Sequence, residues 1–215
     1  MSEPRRLPTV APYDLPREAD LPPSRADWSL DMSRAALLVH DMQDYFLAAF
    51  EPGKAPLESL VANVAALLDH CRAAGVPVFH TAQKGAQDRR DRGLQGDLWG
   101  PGMRAIAEHE AVAAAVTPGP DDIVLVKHRY SAFQRSNLET LVHARGRDQL
   151  MICGVYAHIG CQATAYEAFQ RDVHPFFIAD ALADFSREWH DLALRAVADC
   201  SGVVLSTRQV LETLK

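Results

Sequence analysis

Four short stretches of this chain set chemically capable side chains directly behind apolar runs. The first reads His40-Asp41-Met42-Gln43-Asp44-Tyr45-Phe46. The second is Thr81-Ala82-Gln83, the third Lys127-His128-Arg129-Tyr130-Ser131, and the fourth Gly154-Val155-Tyr156-Ala157-His158-Ile159-Gly160-Cys161. A carboxylate such as Asp41 at the end of an apolar strand is poorly solvated, so its surroundings can tune its proton affinity. Lys127 ends another apolar run and can face it. An acid, a cation and a helix N-terminus converging on one crevice make an anion-binding catalytic site. The plainer alternatives are an Asx turn that ends a strand for Asp41 and a solvated strand-end lysine for Lys127.

Other chemistries find less support. His40, His80, His128, His158 and His190 share no metal-ligand spacing, so no metal is expected, and His158 reads as a polar residue near the pocket wall. Ser131 and Ser186 have no His and Asp partners in a triad order. Asp180 and Asp184 read as cap and turn chemistry behind a strand. Cysteines 71, 153, 161 and 200 form no C-x-x-C pair, which predicts neither a disulfide framework nor a zinc site and fits a reducing, cytoplasmic setting.

The elements that must position these residues follow from the apolar pattern. From Ala35 onward short apolar runs alternate with longer amphipathic segments, the mark of βαβ units around a parallel sheet. The expected strands are 35–40, 76–81, 123–127, 149–153, 175–179 and 203–206. The clearest helix is 57–74, with Leu57, Leu60, Val61, Val64, Leu67, Leu68 and Cys71 on one face, Pro56 at its start and Gly75 past its end. Further helices are expected over 103–116, 137–145, 160–172, 186–199 and 208–214, the fourth of these capped by Ser186. The fold class is therefore α/β, a six-stranded parallel sheet with helices on both faces, and its ligand site belongs beyond the carboxyl ends of the strands.

Residues 1–34 carry Pro4, Pro8, Pro12, Pro16, Pro22 and Pro23 and read as an N-terminal arm packed on a domain spanning 35–215, with Tyr13, Leu21, Trp28 and Leu30 as anchors. Arg5 and Arg6 are followed by no apolar core, so the first residues are not a secretory signal. The chain has 215 residues, 48% of them hydrophobic, enough for one domain with a full core. Its net charge of −6 gives no reason to expect nucleic acid or an anionic membrane as partner. No apolar run approaches the roughly 20 residues of a membrane span.

Taken in order, "LLVHDMQDYF", "TAQ", "LWGPGM", "KHRYSAF", "GVYAHIGC" and "PFFIADALADFSREWH" resemble the isochorismatase family, from about residue 28 to residue 211. The resemblance implies a six-stranded parallel sheet flanked by helices. It implies Asp41 as the acid and Lys127 as the active-site lysine. Gln83, Arg92, Tyr156 and the Gly160 backbone would contact substrate, Arg92 as the clamp on a carboxylate. Phe46, Trp99 and Tyr130 would form the pocket wall. A cis peptide bond between Val155 and Tyr156 is implied in the same way.

The wider superfamily contains hydrolases with an Asp, a Lys and a nucleophilic Cys, the last at the seventh position of a G-x-x-x-x-x-C segment. Here the seventh residue from Gly154 is Gly160, and Cys161 comes one residue late. One step on a helix turns a side chain by roughly 100°, so Cys161 should point away from the pocket. The missing side chain at Gly160 should leave room for a bulkier substrate. The implied reaction is hydrolysis of the enolpyruvyl ether of isochorismate without a cofactor or a cysteine nucleophile. The alternative substrate is 2-amino-2-deoxyisochorismate. A cysteine amidohydrolase is disfavoured by Gly160, and a non-catalytic docking scaffold by the presence of Asp41 and Lys127. The resemblance further implies a homodimer or higher homo-oligomer and a separate aryl carrier protein as a possible partner, since no segment after Lys215 carries a phosphopantetheine serine.

Overall fold

Apolar strands with no polar alternation need both faces covered, and the chain folds accordingly, except along the edge strand at 123–126, where Val124 and Val126 are exposed. The computed structural model describes residues 7–213; residues 1–6 of the expected arm, with Arg5 and Arg6, and residue 214 of the expected last helix lie outside them. Six strands, β1 (Ala35–His40), β2 (Val78–Ala82), β3 (Ile123–Val126), β4 (Gln149–Val155), β5 (His174–Ala183) and β6 (Val203–Leu205), form one parallel sheet in the order β3-β2-β1-β4-β5-β6. Helix α1 (Leu57–Ala73) buries Leu60, Val64, Leu67, Leu68 and Cys71 against the face that carries Leu37, Val39 and Met151. Helices α2 (Leu138–His143), α3 (Gln162–Gln170) and α4 (Arg187–Cys200) belong to the opposite core with Leu38, Phe79, Ile152 and Phe177. Helix α5 (Thr207–Thr213) ends the described chain. Ser186 caps α4, its hydroxyl accepting from Trp189 N at 3.2 Å.

Strand order reverses beside β1, whose neighbours are β2 and β4. Such a switch point opens a crevice beyond the strand ends. Its floor is set by the register that places His40 opposite both Thr81 and Gly154. Gly154 has φ +110°, and a Cβ there would lie 2.8 Å from His40 N, so only glycine lets β4 approach β1 this closely. The pairing of β4 with β5 shifts register between Ile152 and Gly154, and β5 continues to Ala183, beyond the expected end at 179.

The expected helix 103–116 is absent as a unit. Only a turn at Ala107–Glu110 and a 3-10 turn at Ala114–Val116 form. The segment pairs instead with the loop after β1: Asp44 N donates to Ala111 O at 2.8 Å and Ala113 N to Met42 O at 3.0 Å, around a bridge between Gln43 and Val112. Tertiary hydrogen bonds here outweigh the helical preference of an alanine-rich run. Helix α3 starts at Gln162, after a wide π turn over Ala157–Cys161. Along the N-terminal segment, Val10 bridges Phe50, and the Tyr13 hydroxyl accepts from Asp184 N at 2.8 Å. Gln149 Oε1 accepts from Asp31 N at 2.7 Å. No helix among the described residues is long and apolar enough to cross a membrane.

Candidate active site

Three strand ends assemble the centre of the crevice. Asp41, the residue after β1, has φ +50°, a conformation Asp tolerates better than most side chains. Its carboxylate is only 4% exposed. Thr81 at the end of β2 donates its hydroxyl to Asp41 Oδ1 at 2.7 Å, and Gln83 Nε2 donates to Oδ2 at 3.1 Å. Lys127, just past β3 and 2% exposed, sets Nζ 2.9 Å from the same Oδ2. The ammonium also donates to Arg129 O at 2.7 Å and Tyr130 O at 3.4 Å. Its three N–H bonds thus all have acceptors within the protein. Burial raises the proton affinity of Asp41, but Lys127, His40 and the Thr81 hydroxyl together outweigh it and hold the carboxyl below its ordinary value.

Around this pair lies a pocket with about 590 Å³ of empty space, part of it open to solvent. Asp41, Lys127, Gln83, Arg92, Tyr156, Phe46, Trp99, Tyr130 and Gly160 all line it, so the structure brings every expected site residue to one place. Aromatic rings make its wall: Tyr156 lies 4.2 Å from Phe185 between centroids and meets Phe46 edge-on at 6.3 Å. Trp99 Nε1 donates to the Tyr130 hydroxyl at 2.7 Å, which ties the 95–99 turn to the loop after β3.

Arg92 is the cation of the other rim. It is 9% exposed, and its Nε donates to Gly100 O at 2.6 Å. Gly102, at φ +76°, lets the guanidinium lie where a Cβ would come within 2.6 Å of it. Among the described residues no carboxylate pairs with Arg92, so a largely buried guanidinium faces the pocket without an anion. Arg89 and Arg90 are exposed, Arg89 pairing with Asp97 at 2.8 Å.

Several details differ from the sequence expectation. The Gln83 amide is turned onto Asp41, and the Tyr156 hydroxyl donates to Phe46 O at 2.6 Å, so Tyr156 offers the pocket its ring. Position 160 leaves no additional room, because the His40 imidazole fills the space a side chain there would need. His158 is held by Asp184, Nδ1 to Oδ1 at 2.6 Å, and stacks on Trp189. The Val155–Tyr156 peptide bond is cis. Sequence reading assigned no role to Thr81 or Gln43. Yet Gln43, wholly buried, fastens the Gln83 backbone through both amide atoms, accepting from Gln83 N at 2.7 Å and donating to Gln83 O at 2.9 Å. Their membership of the strand-end clusters was the available signal. Leu7 and Phe185 also line the pocket; Leu7 lies far from every cluster in sequence.

A family model described as isochorismatase domain matches residues 35–209. The chain belongs to the isochorismatase family. It is 49% identical over 205 residues to enterobactin synthase component B of Escherichia coli strain K12, covering 95% of this chain and 72% of that protein. It is 46% identical over 206 residues to phenazine biosynthesis protein PhzD1 of Pseudomonas aeruginosa, covering 96% of this chain and 99% of that protein. Among solved structures it resembles a cysteine hydrolase from Pseudomonas syringae pv. phaseolicola, with a TM-score of 0.79 and 26% identity over 90% of this chain and 97% of that one. Isochorismatase-family proteins are hydrolases, and this chain is an enzyme of that type.

Cys161 does not line the pocket, is fully buried, and burial pushes its thiol well above the ordinary range. Cys161→Ala should therefore retain activity within about threefold, the cost being confined to the loss of a small packing group. A wild-type acyl-enzyme on Cys161 in intact-mass spectra would contradict this. Among the described residues no group of three or more His, Cys, Asp or Glu could hold a metal ion.

Proposed function

We propose that this enzyme hydrolyses the enolpyruvyl ether of isochorismate to pyruvate and 2,3-dihydro-2,3-dihydroxybenzoate, with Asp41 as general acid. The observation that carries this reading is a buried carboxylate, paired with an equally buried ammonium, in an aromatic pocket with no thiol at position 160. An enol ether needs an acid rather than a nucleophile. Protonated Asp41 gives its proton to the terminal methylene carbon, and the ether oxygen stabilises the cation that forms. Water adds to that cation and loses its proton to the Asp41 carboxylate. The hemiketal then collapses: its hydroxyl gives up a proton as the bond from the former enol carbon to the ring oxygen breaks and that oxygen takes up a proton, leaving the pyruvate ketone and a ring alcohol.

Free Asp41 is held in its ionised form, so a proton must arrive with the substrate. Two substrate carboxylates entering the pocket raise the proton affinity of both members of the Asp41–Lys127 pair. Lys127, with its N–H bonds already engaged, supports a role in holding and sharing that proton more than in gripping substrate. Arg92, which pairs with no carboxylate among the described residues, is the cation for a substrate carboxylate. Arg92→Ala should raise KM by about tenfold or more and change kcat less, as loss of binding common to ground and transition states does. An unchanged KM in initial-rate measurements would move the carboxylate contact elsewhere.

The second reading is the same hydrolysis on 2-amino-2-deoxyisochorismate, supported by the 46% identity to the phenazine protein. A homodimer or higher homo-oligomer and a separate aryl carrier protein as partner belong to the same proposal and rest on the family resemblance; a cytoplasmic setting rests on the four cysteines, which form no C-x-x-C pair. The deciding experiment offers both substrates to the purified enzyme in H₂¹⁸O and follows pyruvate. We expect pyruvate from isochorismate at the higher kcat/KM and no label in the ring hydroxyl. Label in that hydroxyl would mean that the ring carbon–oxygen bond breaks, and would sink the Asp41 mechanism. Absence of pyruvate from either substrate would sink the function.

A further inference from the structure

The space at position 160 is filled by a side chain that the chemistry above does not use. His40, the last residue of β1, is 1% exposed. A Cβ at Gly160 would lie 2.8 Å from its Nε2, and closer still to Cε1. After this ring, the next nearest atom to such a Cβ is Tyr130 O at 3.1 Å, a contact that a small shift relieves. The imidazole is also anchored. Its Nδ1 lies 2.9 Å from Val155 O and its Nε2 3.3 Å from Tyr130 O. Burial, with the nearby Lys127 charge, lowers the proton affinity of the ring more than Asp41 and the two carbonyls raise it. The shorter of the two carbonyl contacts marks Nδ1 as the donor to Val155 O.

His40 therefore joins three parts of the site. It precedes Asp41 in the chain, it bonds the carbonyl at the end of β4, and it packs against the Tyr130 carbonyl that also accepts from Lys127. We propose that His40 is a positioning residue of this site. It occupies the volume a side chain at 160 would require, so it and Gly160 form an obligate pair that keeps a thiol out of the pocket and holds the Asp41–Lys127 pair in register. A cysteine at 160 would need a small residue at 40. A histidine at 40 needs glycine at 160.

The proposal is tested first without substrate, so that it stands or falls independently of the proposed reaction. Thermal melts are recorded for wild type, Gly160→Ala, His40→Ala and the double variant. In the wild-type background Gly160→Ala should lower Tm by about 4 °C or more, the scale of overpacking in a chain of this size. In the His40→Ala background the same change should cost less than half as much, because the obstructing ring is gone. If Gly160→Ala alone yields no folded protein, recovery of folded protein in the double variant is the expected result. Equal Tm costs in both backgrounds, or an unfolded double variant, would overturn the pairing.

The positioning role is read from kinetics on whichever substrate releases pyruvate. His40→Ala should lose about tenfold to a hundredfold in kcat, with KM changed by less than about threefold. His40→Asn, whose amide nitrogen can replace Nδ1 as the donor to Val155 O, should recover part of kcat. Equal kcat for the Asn and Ala variants, or a loss carried by KM alone, would remove the positioning role even if the pairing holds.

Discussion

Asp41→Asn should lower kcat by about 10²–10⁴-fold, the usual contribution of an acid that transfers a proton in the transition state, and should leave substrate binding measurable. The substitution keeps the shape of the side chain and its bond from Thr81, which reaches the carboxyl at 2.7 Å, but removes the transferable proton. The pH profile makes the test sharper. Lys127, His40 and Thr81 hold the free carboxyl below its ordinary value. The reactive, protonated form is therefore a shrinking minority as pH rises through the neutral range. For the wild type, kcat/KM should fall by about tenfold for each unit of pH above that pKa, while kcat, which reports the complex, should hold to a higher pH. A flat kcat/KM from acid to alkaline pH, or an asparagine variant as fast as wild type, would leave Asp41 without a catalytic role.

Lys127→Met should be the most damaging substitution for the fold and nearly as damaging for turnover. Removing one partner of a buried ion pair typically costs about 3–5 kcal/mol, or roughly 6–20 °C in Tm for a domain of this size. The Asp41 carboxylate would then be buried, 4% exposed, without its cation. Its proton affinity should rise, since burial is the largest influence on it and would lose its main opponent. The sign of the pH effect follows. In the wild type the depressed Asp41 pKa contributes stability above the unfolded value of about 3.9, lost as pH falls through the folded value. In the variant the folded pKa lies above the unfolded one, so the same carboxyl destabilises increasingly as pH rises from about 3.9 to that raised folded value. The Tm gap between variant and wild type should thus be widest at neutral pH and should narrow on acidification. A gap independent of pH would show that Lys127 acts through packing alone.

The αβ alternation was legible because each strand is an apolar run set between amphipathic segments, and α1 because its buried residues recur at helical spacing. Asp41 and Lys127 were legible for a related reason: a charged residue placed directly after such a run must sit at a strand end, where parallel sheets hold their ligands. The helix expected over 103–116 failed because its backbone found better partners in the loop after β1, nearly 70 residues away, as the Gln43 bond to Glu110 O at a separation of 67 shows.

By itself, then, the sequence determined which elements form, which ends of them carry the acid, the cations and the aromatic wall, and that position 160 has no thiol. The tertiary structure alone decided what each polar group is bonded to. It engaged the Lys127 ammonium within the protein, turned Gln83 onto Asp41, pointed the Tyr156 hydroxyl at Phe46 O, and left Arg92 with no carboxylate among the described residues. It also filled the space beside Gly160 with His40, whose partner Val155 O lies 115 residues away. Periodicity reports which face of an element is buried. The rotamer and partner of a buried polar side chain depend on atoms that only chain folding brings within about 3 Å.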